Sequence, residues 1–213
     1  MLKENRYQLL PNLISKEHAS FLQDYLKIKK GAHIEMRKKN IISEFDQRFG
    51  FWGDGQIPGL DTFMLYGDAA FDLTADVVRK KIQTYVDKPL HTTYSYARLY
   101  VTGDELKKHV DRASCEVSAS INLGGDAWPL YIMSNKEKIK VDLDPGNAVV
   151  YYGKELEHWR ERFEGKECSQ LFIHYSYDPA QKYDKRGALG TPDPTPHAYG
   201  GGSAKVYITK GKQ

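Results

Sequence analysis

Cysteine is scarce in this sequence: Cys115 and Cys168 are the only two in 213 residues. Two thiols are too few for a disulfide scaffold and fit a reducing compartment. Neither belongs to a Cys-x-x-Cys pair, which argues against a zinc site built on thiolates. Long apolar runs are missing as well, and without a stretch of eighteen apolar residues no segment reads as a membrane-spanning helix. The start, MLKENRYQLLPNLI, carries Lys3, Glu4 and Arg6 and lacks the uninterrupted apolar core of a secretory signal. These absences predict a cytoplasmic protein with no membrane partner. A strong charge of one sign is also lacking. The net charge of +3 gives little push toward nucleic acid, and the locally basic run Lys27 to Lys39 (KIKKGAHIEMRKK) reads as a solvated helix end and loop.

What remains is an ordinary globular composition, 40% apolar and 28% charged, at a length that suits one domain. Ser15 to Lys29 predicts a helix, with Ser15 as N-cap, Phe21, Leu22, Tyr25 and Leu26 at helical spacing, and Gly31 as its stop. A second helix is predicted from about Asp72 to Val86, with Leu73, Val77, Val78, Ile82 and Tyr85 on one stripe. Between them, residues 45–70 are rich in Gly and aromatics and read as a long ordered loop with short strands. From residue 91 the character turns to β: TYSYARLYV, CEVSASINL, WPLYIM, IKVDLD, AVVYYG and CSQLFIHYSY are short β-branched or aromatic segments separated by turn residues. The fold class expected is mainly β with N-terminal helices (α+β), on an antiparallel barrel or jelly roll. A single domain is expected over 1–213, with a helical N-terminal region over 1–90, a jelly-roll core over 91–177 and a loop-rich tail over 178–213 that holds one short strand at KVYIT.

The chemistry-bearing motif is His109-Val110-Asp111. Residues i and i+2 share a face of an extended chain but not of a helix, so an extended conformation would aim the imidazole and carboxylate together at the interior. His158 follows the segment AVVYYG and is placed to add a second imidazole from another strand. Two imidazoles and a carboxylate on one side of a metal leave positions open, the pattern that suits non-haem Fe(II). Taken singly, each His also reads as a satisfied polar strand end.

The ordered set YARLYVTGDELKKHVD, INLGGDAWPLYI, LDPGNAVVYYG and EHWRERFEGKECSQLFIHY resembles the catalytic core of the prolyl 4-hydroxylase-like Fe(II)/2-oxoglutarate oxygenases over roughly residues 90–177. The resemblance rests on Tyr100 and Gly103 ahead of His-x-Asp, on Asn122 to Gly125 after it, and on the turn Pro145-Gly146 before the distal His. It implies a double-stranded β-helix (jelly-roll, cupin-like) core and iron held by His109, Asp111 and His158. It further implies 2-oxoglutarate contacted by Tyr100, with ascorbate as an accessory. The family's cation for the distal carboxylate falls at Cys168, a departure that leaves Lys166 as the first candidate anchor, with Arg160 and Arg162 as alternatives.

The implied reaction is a hydroxylation driven by 2-oxoglutarate and O2, with succinate and CO2 as co-products, on a peptidyl residue, prolyl among them, or on an amino acid. Asp111 keeps a carboxylate in the triad and so favours hydroxylation over halogenation. Arg112 is a candidate to orient that carboxylate or a substrate, and Tyr94, Tyr96, Trp128 and Trp159 are candidates to line the pocket. Nucleic-acid dealkylation is disfavoured because CSQLFIHYSY has no arginine. The alternative from a different class is a non-catalytic jelly-roll module binding sugar or peptide, against which the three ordered ligand types argue.

Overall fold

The protein was analysed as a computed structural model that describes residues 2–43, 46–53, 55–57 and 61–180. The predicted strand KVYIT and nearly all of the tail lie outside the described residues. A short helix, α1 (Leu2–Asn5), and strand β1 (Tyr7–Leu10) lead into α2 (Lys16–Lys38), and β2 (Phe51–Trp52) and β3 (Phe63–Tyr66) precede α3 (Ala69–Gln83). Eight strands follow: β4 (His91–Val101), β5 (Leu106–His109), β6 (Val117–Gly125), β7 (Leu130–Ser134), β8 (Glu137–Val141), β9 (Ala148–Tyr151), β10 (His158–Arg160) and β11 (Glu167–Ser176).

They wind between two antiparallel sheets, ordered β1-β9-β6-β11-β4-β3-β2 and β5-β10-β7-β8. This is a jelly-roll, double-stranded β-helix. Period-2 alternation sorts the side chains. On β11, Leu171, Ile173 and Tyr175 join the large apolar cluster beneath the helices, while Phe172 and His174 face a cavity between the sheets. On β6, Val117, Ala119, Ile121 and Leu123 do the same, which turns Ser118, Ser120 and Asn122 inward.

The two long helices, α2 and α3, lay their apolar face on the larger sheet. Ser15 caps α2 by accepting from the His18 backbone N–H at 3.1 Å, and Leu22 and Leu26 are fully buried, each worth about 1.5–3 kcal/mol. Gly31 does not stop α2, which runs on to Lys38. A glycine costs only about 1 kcal/mol in a helix interior, and the added turn buries His33 against Trp52 and Phe63. In α3 the predicted stripe is also rotated. Leu73 and Val77 are exposed, and the buried face is Phe71, Ala75, Val78 and Ile82.

The Asn122 to Gly125 segment works as a clamp. The Asn122 amide donates to Leu143 O at 2.5 Å, its carbonyl accepts from the Gly146 N–H at 2.8 Å, and its side-chain oxygen accepts from the Gly124 N–H at 2.9 Å. Gly125 must be glycine: its φ is +97° and a Cβ would collide with the Glu167 backbone.

Candidate metal centre

His109 is the last residue of β5 and pairs in register with His158 of β10, so the two rings sit 4.3 Å apart between centroids. The chain leaves the sheet after His109, and Asp111 is carried back by its backbone N–H donating to Gly153 O at 2.8 Å. Asp111 Oδ1 stands 3.7 Å from His109 Nε2 and 3.5 Å from His158 Nε2. One ligand atom from each of the three lies within 4.8 Å of the others. Asp111 itself lies two residues past the end of β5. The carboxylate arrives from a loop rather than from the strand.

The tautomers suit a metal. Each imidazole Nδ1 faces the carbonyl two residues earlier, Lys107 O at 2.7 Å and Leu156 O at 2.9 Å. A carbonyl only accepts, so Nδ1 carries the hydrogen and Nε2 turns its lone pair toward the common point. Burial raises the Asp111 carboxyl, but the adjacent His158 and His174 rings and the Ser118 hydroxyl outweigh it and hold the group well below the usual carboxylate range. Burial and the His158 ring lower His109, favouring the neutral ligand form. An anionic carboxylate and two neutral imidazoles are the donor set a divalent ion needs.

The triad opens into a cavity of about 460 Å³ whose walls include Phe51, Tyr66, Tyr94, Tyr96 and Phe172, with Arg98 and Gln56 among the polar groups. That size suits a small-molecule site. Arg112 also lines it, as do Tyr94 and Tyr96. Trp128 packs instead behind the cavity against Tyr100 and Phe163, and Trp159 lies on Tyr131 with a ring separation of 5.6 Å beneath Lys108.

No family model and no curated protein matches this chain. Solved structures do match. A Pseudomonas putida prolyl-4-hydroxylase aligns at TM-score 0.63 and 15% identity, over 82% of this chain and 94% of that one. HygX from Streptomyces hygroscopicus, with nickel, 2-oxoglutarate and hygromycin B bound, aligns at 0.60 and 10%, over 82% and 84%. A 2OG-Fe(II) oxygenase family oxidoreductase from Burkholderia pseudomallei aligns at 0.54 and 14%, over 89% and 90%. The chain has the 2OG-Fe(II) oxygenase fold.

Within that oxygenase fold the candidate anchors separate. Lys166 is exposed in the turn before β11, where its backbone N–H donates to Asp126 Oδ2 at 2.6 Å; the tight turn points it outward and the structure does not bring it to the cavity. Arg162 is likewise exposed, 3.7 Å from Glu164. Arg160 is buried rather than exposed, although neither it nor Tyr100 is among the residues that line the cavity. Two residues after His158 it faces inward, 1% exposed, and its guanidinium donates to Trp128 O, to Gln170 Oε1 at 3.0 Å and to Ser120 Oγ at 3.4 Å. All three acceptors are neutral, and its Nε has no hydrogen-bond partner among the described residues. Tyr100 is fully buried near it, edge-on to Trp128 at 4.8 Å, and its hydroxyl accepts from Arg98 Nη1 at 3.2 Å.

Sequence reading missed Arg98, Ser118 and His174. The signal for Arg98 was present: Tyr94, Tyr96, Arg98 and Tyr100 alternate along one strand face, and a lone cation there is a cavity residue rather than core.

Proposed function

We infer that this chain is an Fe(II)- and 2-oxoglutarate-dependent dioxygenase that hydroxylates a peptidyl (including prolyl) or amino-acid substrate. One observation carries the reading: His109 Nε2, His158 Nε2 and Asp111 Oδ1 converge at one end of a cavity in the 2OG-Fe(II) oxygenase fold. These three atoms would hold the iron. Bound there, the metal with 2-oxoglutarate supplies oxidation of a C–H bond to C–OH, coupled to release of succinate and CO2.

The chain's own residues do the rest. Arg160 meets the distal carboxylate of 2-oxoglutarate, because a fully buried guanidinium whose hydrogen bonds go only to neutral acceptors is a costly charge until an anion joins it. Tyr100 lies beside it to complete that end. The aromatic walls Phe51, Tyr96 and Phe172 exclude water from the reacting carbon. Arg98 and Gln56, joined by a 2.7 Å hydrogen bond, form a polar wall against which a substrate carbonyl or carboxylate orients.

The test is incubation with Fe(II), 2-oxoglutarate, ascorbate and a panel of peptides and free amino acids, read by mass spectrometry and succinate assay. The reading expects at least one substrate to gain a single oxygen in step with succinate. A panel without product or uncoupled succinate, run on metal-loaded folded protein, counts against it.

A further inference from the structure

Asp111 has two oxygens in different surroundings. Oδ1 faces the two imidazoles, whereas Oδ2 accepts from the Ser118 hydroxyl at 2.7 Å. Ser118 lies on the inward face of β6, paired in register with His174 of β11, and His174 Nδ1 is 2.9 Å from the same hydroxyl oxygen. The direction of this chain is fixed by what each group can do. An ionised carboxylate only accepts, so the hydroxyl proton goes to Asp111. The hydroxyl oxygen then accepts, and Nδ1 of His174 must carry the hydrogen. In the neutral ring that leaves Nε2 as a lone-pair acceptor. His174 is a wall of the cavity, its ring tilted on Tyr94 at 4.6 Å, so Nε2 is the polar atom it offers a cavity ligand.

Space has been cleared for the arrangement. Gly153 lies where a Cβ would collide with both Ser118 Oγ and Asp111 Oδ2, although its backbone is not in the left-handed region. The glycine serves clearance here, not conformation.

We propose that Ser118 and His174 are positioning residues behind the metal centre: Ser118 restricts Asp111 to ligation through Oδ1 alone, and His174 holds Ser118 while presenting Nε2 to the cavity as an acceptor for an N–H or O–H donor. The inference rests on the metal-centre reading for its first half and on the hydrogen-bond order alone for its second. Keeping Oδ2 off the metal preserves an open position that a two-oxygen carboxylate would fill. A rival arrangement uses the same place, since ligand atoms of Asp111, Cys115 and His174 also lie within 4.8 Å of one another. Ser118 already occupies the Asp111 and His174 atoms that face each other there, and the Tyr94 hydroxyl lies 3.2 Å from the Cys115 sulfur.

The experiment uses Co(II), a redox-stable stand-in for Fe(II), together with nitrogen NMR of the histidine rings in metal-free protein. The wild type is expected to bind one Co(II), and His174 to carry its hydrogen on Nδ1. Ser118→Ala should weaken Co(II) binding about tenfold to a hundredfold, the usual effect of losing a ligand's supporting hydrogen bond, and should release the tautomer. Ser118→Thr, which keeps the hydroxyl, should restore both. A wild-type His174 protonated on Nε2, or Ser118→Ala with wild-type affinity, overturns the relay. So does a second Co(II) that disappears in His174→Ala. Equal Co(II) binding by wild type and His109→Ala would instead sink the metal centre, and the tautomer readout would still judge the Ser118–His174 pair.

Discussion

Replacing Arg160 with Met removes a buried cation while nearly keeping its volume. At about 4 Å and an effective dielectric near 20, a guanidinium–carboxylate pair is worth about 4 kcal/mol before desolvation. Truncating one partner of a buried charged hydrogen bond costs about 2–5 kcal/mol. A loss of about 3 kcal/mol weakens 2-oxoglutarate binding roughly a hundredfold. The assay is anaerobic titration of metal-loaded protein with 2-oxoglutarate, and in parallel with 2-oxovalerate, which lacks the distal carboxylate. Arg160→Met should lose affinity for the diacid and leave the monoacid unchanged. Without ligand the variant sheds a desolvated cation but leaves Trp128 O, Gln170 Oε1 and Ser120 Oγ without that donor, so its melting temperature should fall by only about a few degrees. Equal losses for both acids, or an unaltered diacid affinity, would refute the anchor. A large fall in melting temperature would recast Arg160 as structural.

Further outcomes concern pH and the helix. Burial, partly opposed by the Asp111 charge, lowers His174 from its ordinary 6.5 to about 4. It is neutral when folded and readily protonated when unfolded, so its stabilisation is complete above about pH 6.5 and is lost as pH falls toward 4. The gap corresponds to about 3 kcal/mol. Urea melts of metal-free protein across that window should show the slope, and His174→Gln should reduce it to the share left by His109 and His33, which burial also lowers; a level wild-type profile contradicts the assignment. In α2, a Cβ on Gly31 would meet nothing within 4 Å. Gly31→Ala should therefore stabilise by about 0.5–1 kcal/mol and raise the melting temperature by a few degrees in calorimetry; a fall would mean that the helix does break there.

The β core was legible because alternation carries it: segments such as TYSYARLYV and CSQLFIHYSY extend over enough residues for period 2 to show. Strands β1, β5 and β10 are three or four residues long, too short for any period, and are held in place by non-local pairing with β9, with β10, and with β5 and β7. The helix stripes were misjudged where apolar residues occur on both faces. Leu73 and Val77 look equivalent to Val78 in sequence, and only the position of the sheet decides which are covered. At the site, His109, Asp111 and His158 were legible through motif order. Arg160 stood there only as an alternative anchor, because the family position falls at Cys168 and Lys166 lies nearer to it along the chain. The inward alternation that His158 shares with Arg160 is a property of a strand too short to recognise. Ser118 and His174 lie inside apolar-looking strands, where a lone Ser or His ordinarily reads as packing.

The central claim, that three side chains hold one ferrous ion which 2-oxoglutarate then chelates, is tested most directly by anaerobic absorption spectroscopy. Adding Fe(II) and 2-oxoglutarate to the wild type should produce a visible metal-to-ligand charge-transfer band that saturates at one iron per chain and is absent from His109→Ala and from His158→Ala. Folded wild-type protein without the band, or either variant keeping it at full intensity, would contradict the account.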